Sequence, residues 1–461
     1  MFKIFANAWR VEDIRKKLLF IFLLLFIYRI GAVLVPLPGI DLYVVRDLRP
    51  GFWELIGGGG GDGVMTLFAL LMGGELGTVF AMGIAPYITA SIIMQLLTYA
   101  IPALSQMQKE DEDGRKKIQQ ITRYMAVVLA LLQSAGMVYS YTLHGAGWLH
   151  EPINLFGASG GWPVYIAAVV AMTTGTIFIM WLAELLTEKG IGNGASFLIF
   201  ANILAGLPMG IGTFYQMLTD NPGVMSVVLV IVLLLTFALI IAFVVLVHEG
   251  ERRIPVQYSR KAAGGGRAMM GNHQSYIPLK VNIAGVLSII FAMSFIGVPV
   301  MIGQFFQGDN FINTIAHYVD FNRTATATEF LHFPRSGLHP IGAIIYIILI
   351  FLFTHFYTSF AVNPIDMAEN LKKNGGFIPG IRPGAPTSTF IQTTVNRLSW
   401  IGAFFYSLIA LTPIIMGWIV PEMSRIAFGG TSLLIVTGVA LEFVKQMESQ
   451  LLMRHYKGFL E

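Results

Sequence analysis

Residues 64–97 read VMTLFALLMGGELGTVFAMGIAPYITASIIMQLL, and this stretch decides the fold. Its first piece, Val64 to Met72, is apolar and nine residues long. As a helix rising ~1.5 Å per residue it covers roughly 14 Å, about half of a bilayer core of ~30 Å. Gly73 and Gly74 interrupt it, and five glycines, Gly57 to Gly61, lead into it. A longer piece, Leu76 to Ala100, follows with Pro86 in its interior. Broken backbone at membrane depth needs protein or a water-filled cavity around it, because lipid leaves N–H and C=O groups unpaired. The stretch therefore predicts a funnel or pore, or a re-entrant loop packed inside a transporter.

The rest of the chain agrees with a membrane setting. Of 461 residues, 55% are hydrophobic and 12% charged, and the mean hydropathy is +0.69. Soluble domains carry about 25% charge, so a soluble class is excluded. There is no cysteine, which removes disulfides, thiolate metal sites and cysteine nucleophiles. The first apolar segment is long and lacks a small-residue cleavage pattern, so it reads as a retained span.

Ten spans are expected, at about 18–35, 75–101, 118–141, 162–186, 195–212, 224–247, 281–303, 340–362, 397–419 and 428–450. With the N-terminus in the cytoplasm, the cytoplasmic segments hold 21 Lys and Arg and the opposite side 5. Positive charge follows the cytoplasmic side, so both termini are placed there. Ten spans divide into five and five, an odd number per half, which forces the halves into opposite topology. The expected division is 1–220, including the half-span at about 62–74, and 221–461, with cytoplasmic loops 248–280 and 363–396.

Those two loops combine positive charge with glycine and proline. The first carries Arg252, Arg253, Arg260, Lys261, Arg267 and Lys280, and the second Lys372, Lys373 and Arg382. They are either topology signals alone or docking sites for an acidic protein or RNA. On the opposite side, residues 304–321 read as an amphipathic helix at the interface.

Chemistry is hard to place. No GxxxxGK[ST] occurs, so no P-loop is present. His248-Glu249 starts like a zinc-protease helix, but position 252 is Arg. Gly157-Ala158-Ser159-Gly160 resembles an intramembrane serine motif, yet the one spanning histidine, His355, is far along the chain. No enzyme activity, cofactor or metal is expected. Arg29, Glu184, His355, Glu442 and Lys445 lie in spans, and Glu184 and Glu442 read as helix-end residues near the headgroups rather than midplane relays. Ile84, Ile88 and Ile92, spaced by four, share one helical face. They face lipid or a neighbouring helix, or they form a hydrophobic constriction around a passing chain.

Residues 83–93, GIAPYITASII, resemble the second-helix signature of the SecY family, central subunits of the Sec protein-conducting channel. Further similar strings follow in order: PLPGID at 36–41, RKK at 115–117, TEKGIGNG at 187–194, PLKVN at 278–282, NLKK at 370–373 with PGIRPG at 379–384, and GGTSLLI at 429–435. The resemblance implies an all-α polytopic membrane protein. Its ten transmembrane helices form two inverted five-helix halves around an hourglass pore, with a short plug half-helix. It implies a ring of Ile84, Ile88, Ala195, Ile199, Ile290 and Ile435 at the waist, Ala195 being smaller than the usual aliphatic there. The plug would use Met65, Leu67, Phe68, Leu71 and Met72, with Gly57 to Gly61 as a flexible hinge. A lateral gate would carry Gln95, Thr122 and Asn282. Arg252, Arg253, Arg267, Lys372, Lys373 and Arg382 would dock the motor ATPase or the ribosome. The implied function is passage of unfolded secretory polypeptides across the membrane and release of transmembrane segments into lipid. The implied partners are SecE, SecG, SecA, the ribosome, signal sequences, nascent chains and membrane lipids, in a bacterial inner membrane. The competing reading is an inverted-repeat transporter for a small solute, which needs polar ligands at the midplane.

Overall fold

The structure, a computed structural model, describes residues 8–38, 78–109, 112–143, 162–220, 223–258, 275–281, 283–303, 311–319, 340–419 and 430–457. The helices are α1 (Glu12–Leu34), α2 (Ala85–Ala100), α3 (Pro102–Lys109), α4 (Glu112–Leu143), α5 (Trp162–Lys189), α6 (Gly194–Asp220) and α7 (Val224–Glu249). Strands β1 (Glu251–Tyr258) and β2 (Ser275–Lys280) follow. Then come α8 (Leu287–Gly303), α9 (Phe311–Val319), α10 (Pro340–Ala361), α11 (Pro364–Lys373), β3 (Gly376–Phe377), α12 (Ala385–Ile419) and α13 (Gly430–Lys457). All but α3, α9 and α11 have sixteen residues or more, and they fall on the ten expected spans. The short α9 lies in the segment expected to form an interfacial helix.

Several expected boundaries move by six residues or more, and the second span shows a local reason. The second span is helical only from Ala85, so Pro86 is not interior but sits in the first turn. There its missing N–H removes no helix bond and its fixed φ suits the helix. The span ends at Ile101, which is extended (φ −105°, ψ 112°) because it precedes Pro102. The chain bends by 106° between α2 and α3. The seventh span likewise begins late, at Leu287, and the ninth begins early, at Ala385.

Among the described residues, four stretches are long and apolar enough to cross a bilayer by composition alone: 113–139, 162–189, 226–249 and 341–373. The last runs through α10 into α11, with the extended Asn363 between them. The others are shorter or more charged and depend on the bundle around them. One apolar core joins α1, α2, α5, α6, α7, α8, α10, α12 and α13. α4 is attached by a smaller cluster of Ala90, Ala126 and Met180, where alanines let α2 and α4 approach closely. By contrast α7 turns Leu235, Leu239 and Leu246 outward, as a lipid-facing helix does.

The two basic loops fold as one unit, which the sequence did not suggest. β1 is the middle strand of a three-stranded antiparallel sheet ordered β2-β1-β3. β1 and β2 pair antiparallel with Glu251 opposite Lys280, and β3 follows α11. Ile254 and Val256 on one face of β1 pack with Leu279, Leu371, Ile378, Ile391, Val395 and Leu398. Asn363 caps α11, its Oδ1 accepting from the N–H groups of Ile365 (3.1 Å) and Asp366 (3.4 Å). Such a cap contributes ~1 kcal/mol. Lys372 and Lys373 fall in the last turn of α11, where cations suit the helix dipole.

Candidate functional site

α2, α6, α8 and α13 converge, and each contributes to the expected constriction. Ile84 caps the start of α2 and Ile88 lies one turn in. Ala195 and Ile199 open α6, Ile290 opens α8, and Ile435 lies in the first turns of α13. The five isoleucines are buried, and all belong to one contiguous apolar cluster with Ala195 at its margin. Ile92, the third member of the sequence stripe, is buried in the same cluster. Phe197 and Phe443 brace α6 against α13 edge-to-face, with ring centres 5.1 Å apart.

The helices that carry these residues have further contacts. Tyr28 of α1 donates its hydroxyl to Oδ1 of Asn202 on α6 at 2.8 Å, and both are buried. Phe80, just before α2, stacks between Tyr28 and Phe178 of α5. Aromatic contacts of this kind contribute ~0.5–1.5 kcal/mol beyond their burial.

At the seam of α2, α4 and α8, the expected polar residues behave differently from one another. Gln95 donates from Nε2 to Ser91 on its own helix at 3.3 Å, while its Oε1 is buried without a partner. Thr122 is buried and bonds the carbonyl of Ile118, again within its own helix. α8 touches both α2 and α4, but Gln95 and Thr122 are not hydrogen-bonded to each other. Asn282 lies outside the described residues, as do Met65, Leu67, Phe68, Leu71 and Met72, Gly57 to Gly61, and Arg267.

Among the basic residues, Arg252 and Arg382 are exposed. Arg253 is engaged: its Nε donates to Glu251 at 2.6 Å, and its guanidinium lies 4.9 Å from the Tyr276 ring centre. The Glu251 carboxylate holds this already strong base further toward its charged form. Lys373 lies 3.8 Å from Glu369, one turn back on α11.

Glu184 is not simply a helix-end residue. It pairs with Arg123 of α4 at 2.6 Å. The residues are 61 positions apart, and neither side's sequence signals its partner.

Among the described residues no Asp, Glu, Lys, Arg or His is fully buried, and the buried polar groups are hydroxyls and amides. The convergence of helices thus offers an apolar interior and, among the described residues, no buried charged ligand set for a small solute.

This arrangement defines the class: a polytopic helical membrane protein of the protein-conducting channel fold. One solved protein-conducting channel superposes with a TM-score of 0.59 at 18% identity, over 93% of this chain and 90% of the other. A SecY structure examined for its plug domain gives a TM-score of 0.61 at 18% identity, with the same coverage. The model of the SecY family matches residues 78–444. Curated protein translocase subunits SecY from Halalkalibacterium halodurans (39% identical) and Bacillus subtilis (38%) align over the full length of both chains. One from Streptomyces galbus, 40% identical, does the same. The chain belongs to the SecY family. It is a protein-conducting channel, and the small-solute transporter reading finds no support.

Proposed function

We propose that Ile84, Ile88, Ala195, Ile199, Ile290 and Ile435 form a waist that closes by fit around nothing or around a passing chain. The observation that carries this reading is their gathering, from four helices, into one apolar cluster. An apolar collar holds no water when narrow and grips no particular side chain, so it suits a cargo of arbitrary sequence. Residues 62–74 act as the plug on one side of it, with Met65, Leu67, Phe68, Leu71 and Met72 as its apolar face.

The chain divides at about residue 220 into two inverted halves, 1–220 and 221–461. It lies in a bacterial inner membrane with both termini and the β1–β3 unit in the cytoplasm, an orientation that the 21-to-5 excess of Lys and Arg supports. A signal sequence parts α2 from α8 at Gln95, Thr122 and Asn282, and transmembrane segments leave into lipid there. The seam suits this use because membrane hydrogen bonds are weak, ~0.6 kcal/mol each, and Gln95 already lacks one partner. SecA or a ribosome docks on Arg252, Arg253, Arg267, Lys372, Lys373 and Arg382 and supplies the drive. Sec61 in the canine ribosome-channel complex has a similar fold (TM-score 0.57, 17% identity), which supports a ribosome as a partner. SecE and SecG complete the channel in lipid.

The test is conductance. Ile84→Gly with Ile88→Gly should let ions leak through reconstituted resting channels, and an unchanged conductance would remove the collar from this account.

A further inference from the structure

Two turns, one in each half of the chain, are built alike. In the first, the N–H of Val79 donates at 3.0 Å to the carbonyl of Val35, which caps the end of α1. In the second, the N–H of Val281 donates at 2.9 Å to the carbonyl of Gly250, which caps the end of α7. Beside each bond the next residues pair as strands, Pro36 with Thr78 and Glu251 with Lys280.

The match continues into the helices. Gly83 and Gly285 take positive φ, 53° and 62°, and each lies two residues before its helix begins. The following carbonyls, of Ile84 and Val286, accept from the N–H groups of Ile88 (3.1 Å) and Ile290 (3.2 Å). From the second strand of each turn onward the spacing is a constant 202 residues, 79 to 281, 83 to 285, 84 to 286 and 88 to 290, while the capping carbonyls at 35 and 250 lie 215 apart. Thus two of the waist isoleucines hang from the same device.

Each turn also rests against a glycine on the fourth span of its own half. A methyl on Gly175 of α5 would overlap the carbonyl oxygen of Val79. A methyl on Gly402 of α12 would come within 2.9 Å of the carbonyl oxygen of Val281. We propose that Gly175 and Gly402 are positioning residues for the waist: they seat the two turns closely enough against α5 and α12 to set where Ile88 and Ile290 stand. This inference rests on the reading of Ile88 and Ile290 as part of the collar.

The physical argument is one of stiffness. A side-chain tip that meets a new methyl rotates away, whereas a backbone carbonyl moves only with its turn. Non-bonded carbon contacts settle at roughly 3.5–4.0 Å, so a methyl there displaces the turn by about half an ångström or more. The turn is tied at one end to the cap of the first span and at the other to the helix carrying the isoleucine. The displacement therefore passes to Ile88 or Ile290 rather than fading in a loop. A seal made by close packing forfeits a quarter to a half of its contact energy over a gap of ~0.5–1 Å.

The experiment uses the full chain reconstituted in lipid vesicles and reads resting ion leak per folded channel. Gly402→Ala is the milder variant and Gly175→Ala the stronger. Gly114→Ala is the control, since its methyl would crowd the Met107 carbonyl at the α3–α4 corner, away from both turns. The expected result is a several-fold rise in leak for Gly402→Ala and Gly175→Ala, and none for Gly114→Ala even where its thermal midpoint falls as far. The chain has no cysteine, so Ile88→Cys with Ile290→Cys gives a second readout in native membranes. Their cross-linking yield should change when Gly402→Ala is added. Parental leak and unchanged cross-linking in folded Gly402→Ala would overturn the proposal. Ile88→Gly with Ile290→Gly separates the two levels. Leak in that variant alone leaves the collar and removes the seats, and leak in none removes both.

Discussion

Arg123 of α4 and Glu184 of α5 form an ion pair within the helix bundle, Nε to Oε1 at 2.6 Å. The Glu184 side chain is 16% exposed and that of Arg123 42%. The two charges are therefore unequal in what each leaves behind. Arg123→Gln strands a carboxylate that is mostly buried on a short stem. Glu184→Gln strands a guanidinium on a long stem that can reach the headgroups. Breaking a fully buried pair costs ~3–5 kcal/mol, and the exposure of Arg123 reduces that here. We expect Arg123→Gln to lower stability by about 2 kcal/mol and Glu184→Gln by about half as much. The double variant should recover part of the loss. Thermal unfolding in detergent measures all three, and equal losses for the two singles would refute the asymmetry.

The basic unit offers a second asymmetry. Arg382 is exposed, whereas Arg253 is tied to Glu251 and lies against Tyr276. Arg382→Glu should abolish motor-driven export, a drop of tenfold or more, while the protein still inserts and folds. Arg253→Glu places two carboxylates together on β1 and should also loosen the hairpin, seen as faster proteolysis between β1 and β2. Transport into inverted membrane vesicles with the motor and ATP checks the first variant. Retained export would remove Arg382 from the docking surface.

The sequence made the spans legible because they depend on composition, and a buried isoleucine stripe because it depends on short spacing. Ile84, Ile88 and Ile92 lie on one face by the helical period, and they are buried together. What stayed hidden depends on partners far along the chain. Counting spans led to the proposed inverted halves, but the two turns share few letters, Val79 with Val281, Gly83 with Gly285, Ile88 with Ile290 and Ala90 with Ala292. Their likeness is in backbone hydrogen bonds, which any residue but proline donates. The β1–β3 unit was hidden for a related reason. Its third strand is two residues long and arrives from another loop, so no local alternation announces it. Pro86 shows the opposite error, since an apolar run that begins before it placed it in the interior of the span when it marks a helix start.

Tyr99 near the end of α2 meets Phe356 of α10 edge-to-face, ring centres 5.5 Å apart at 80°. The contact joins the first half of the chain to the second, beside the seam that a signal sequence is proposed to part. Tyr99 is 68% exposed, so its removal costs little in folding. An aromatic pair of this geometry contributes ~0.5–1.5 kcal/mol, which corresponds to about 2- to 10-fold in the opening equilibrium. Tyr99→Ala should therefore raise export of a substrate with a weakened signal sequence by that factor, and leave a substrate with a strong signal unchanged. Phe356→Ala should do the same. Because both variants remove one shared contact, the double should gain no more than either single. Additive gains would mean that the two rings act separately, and no gain in either would mean that the seam opens without parting them.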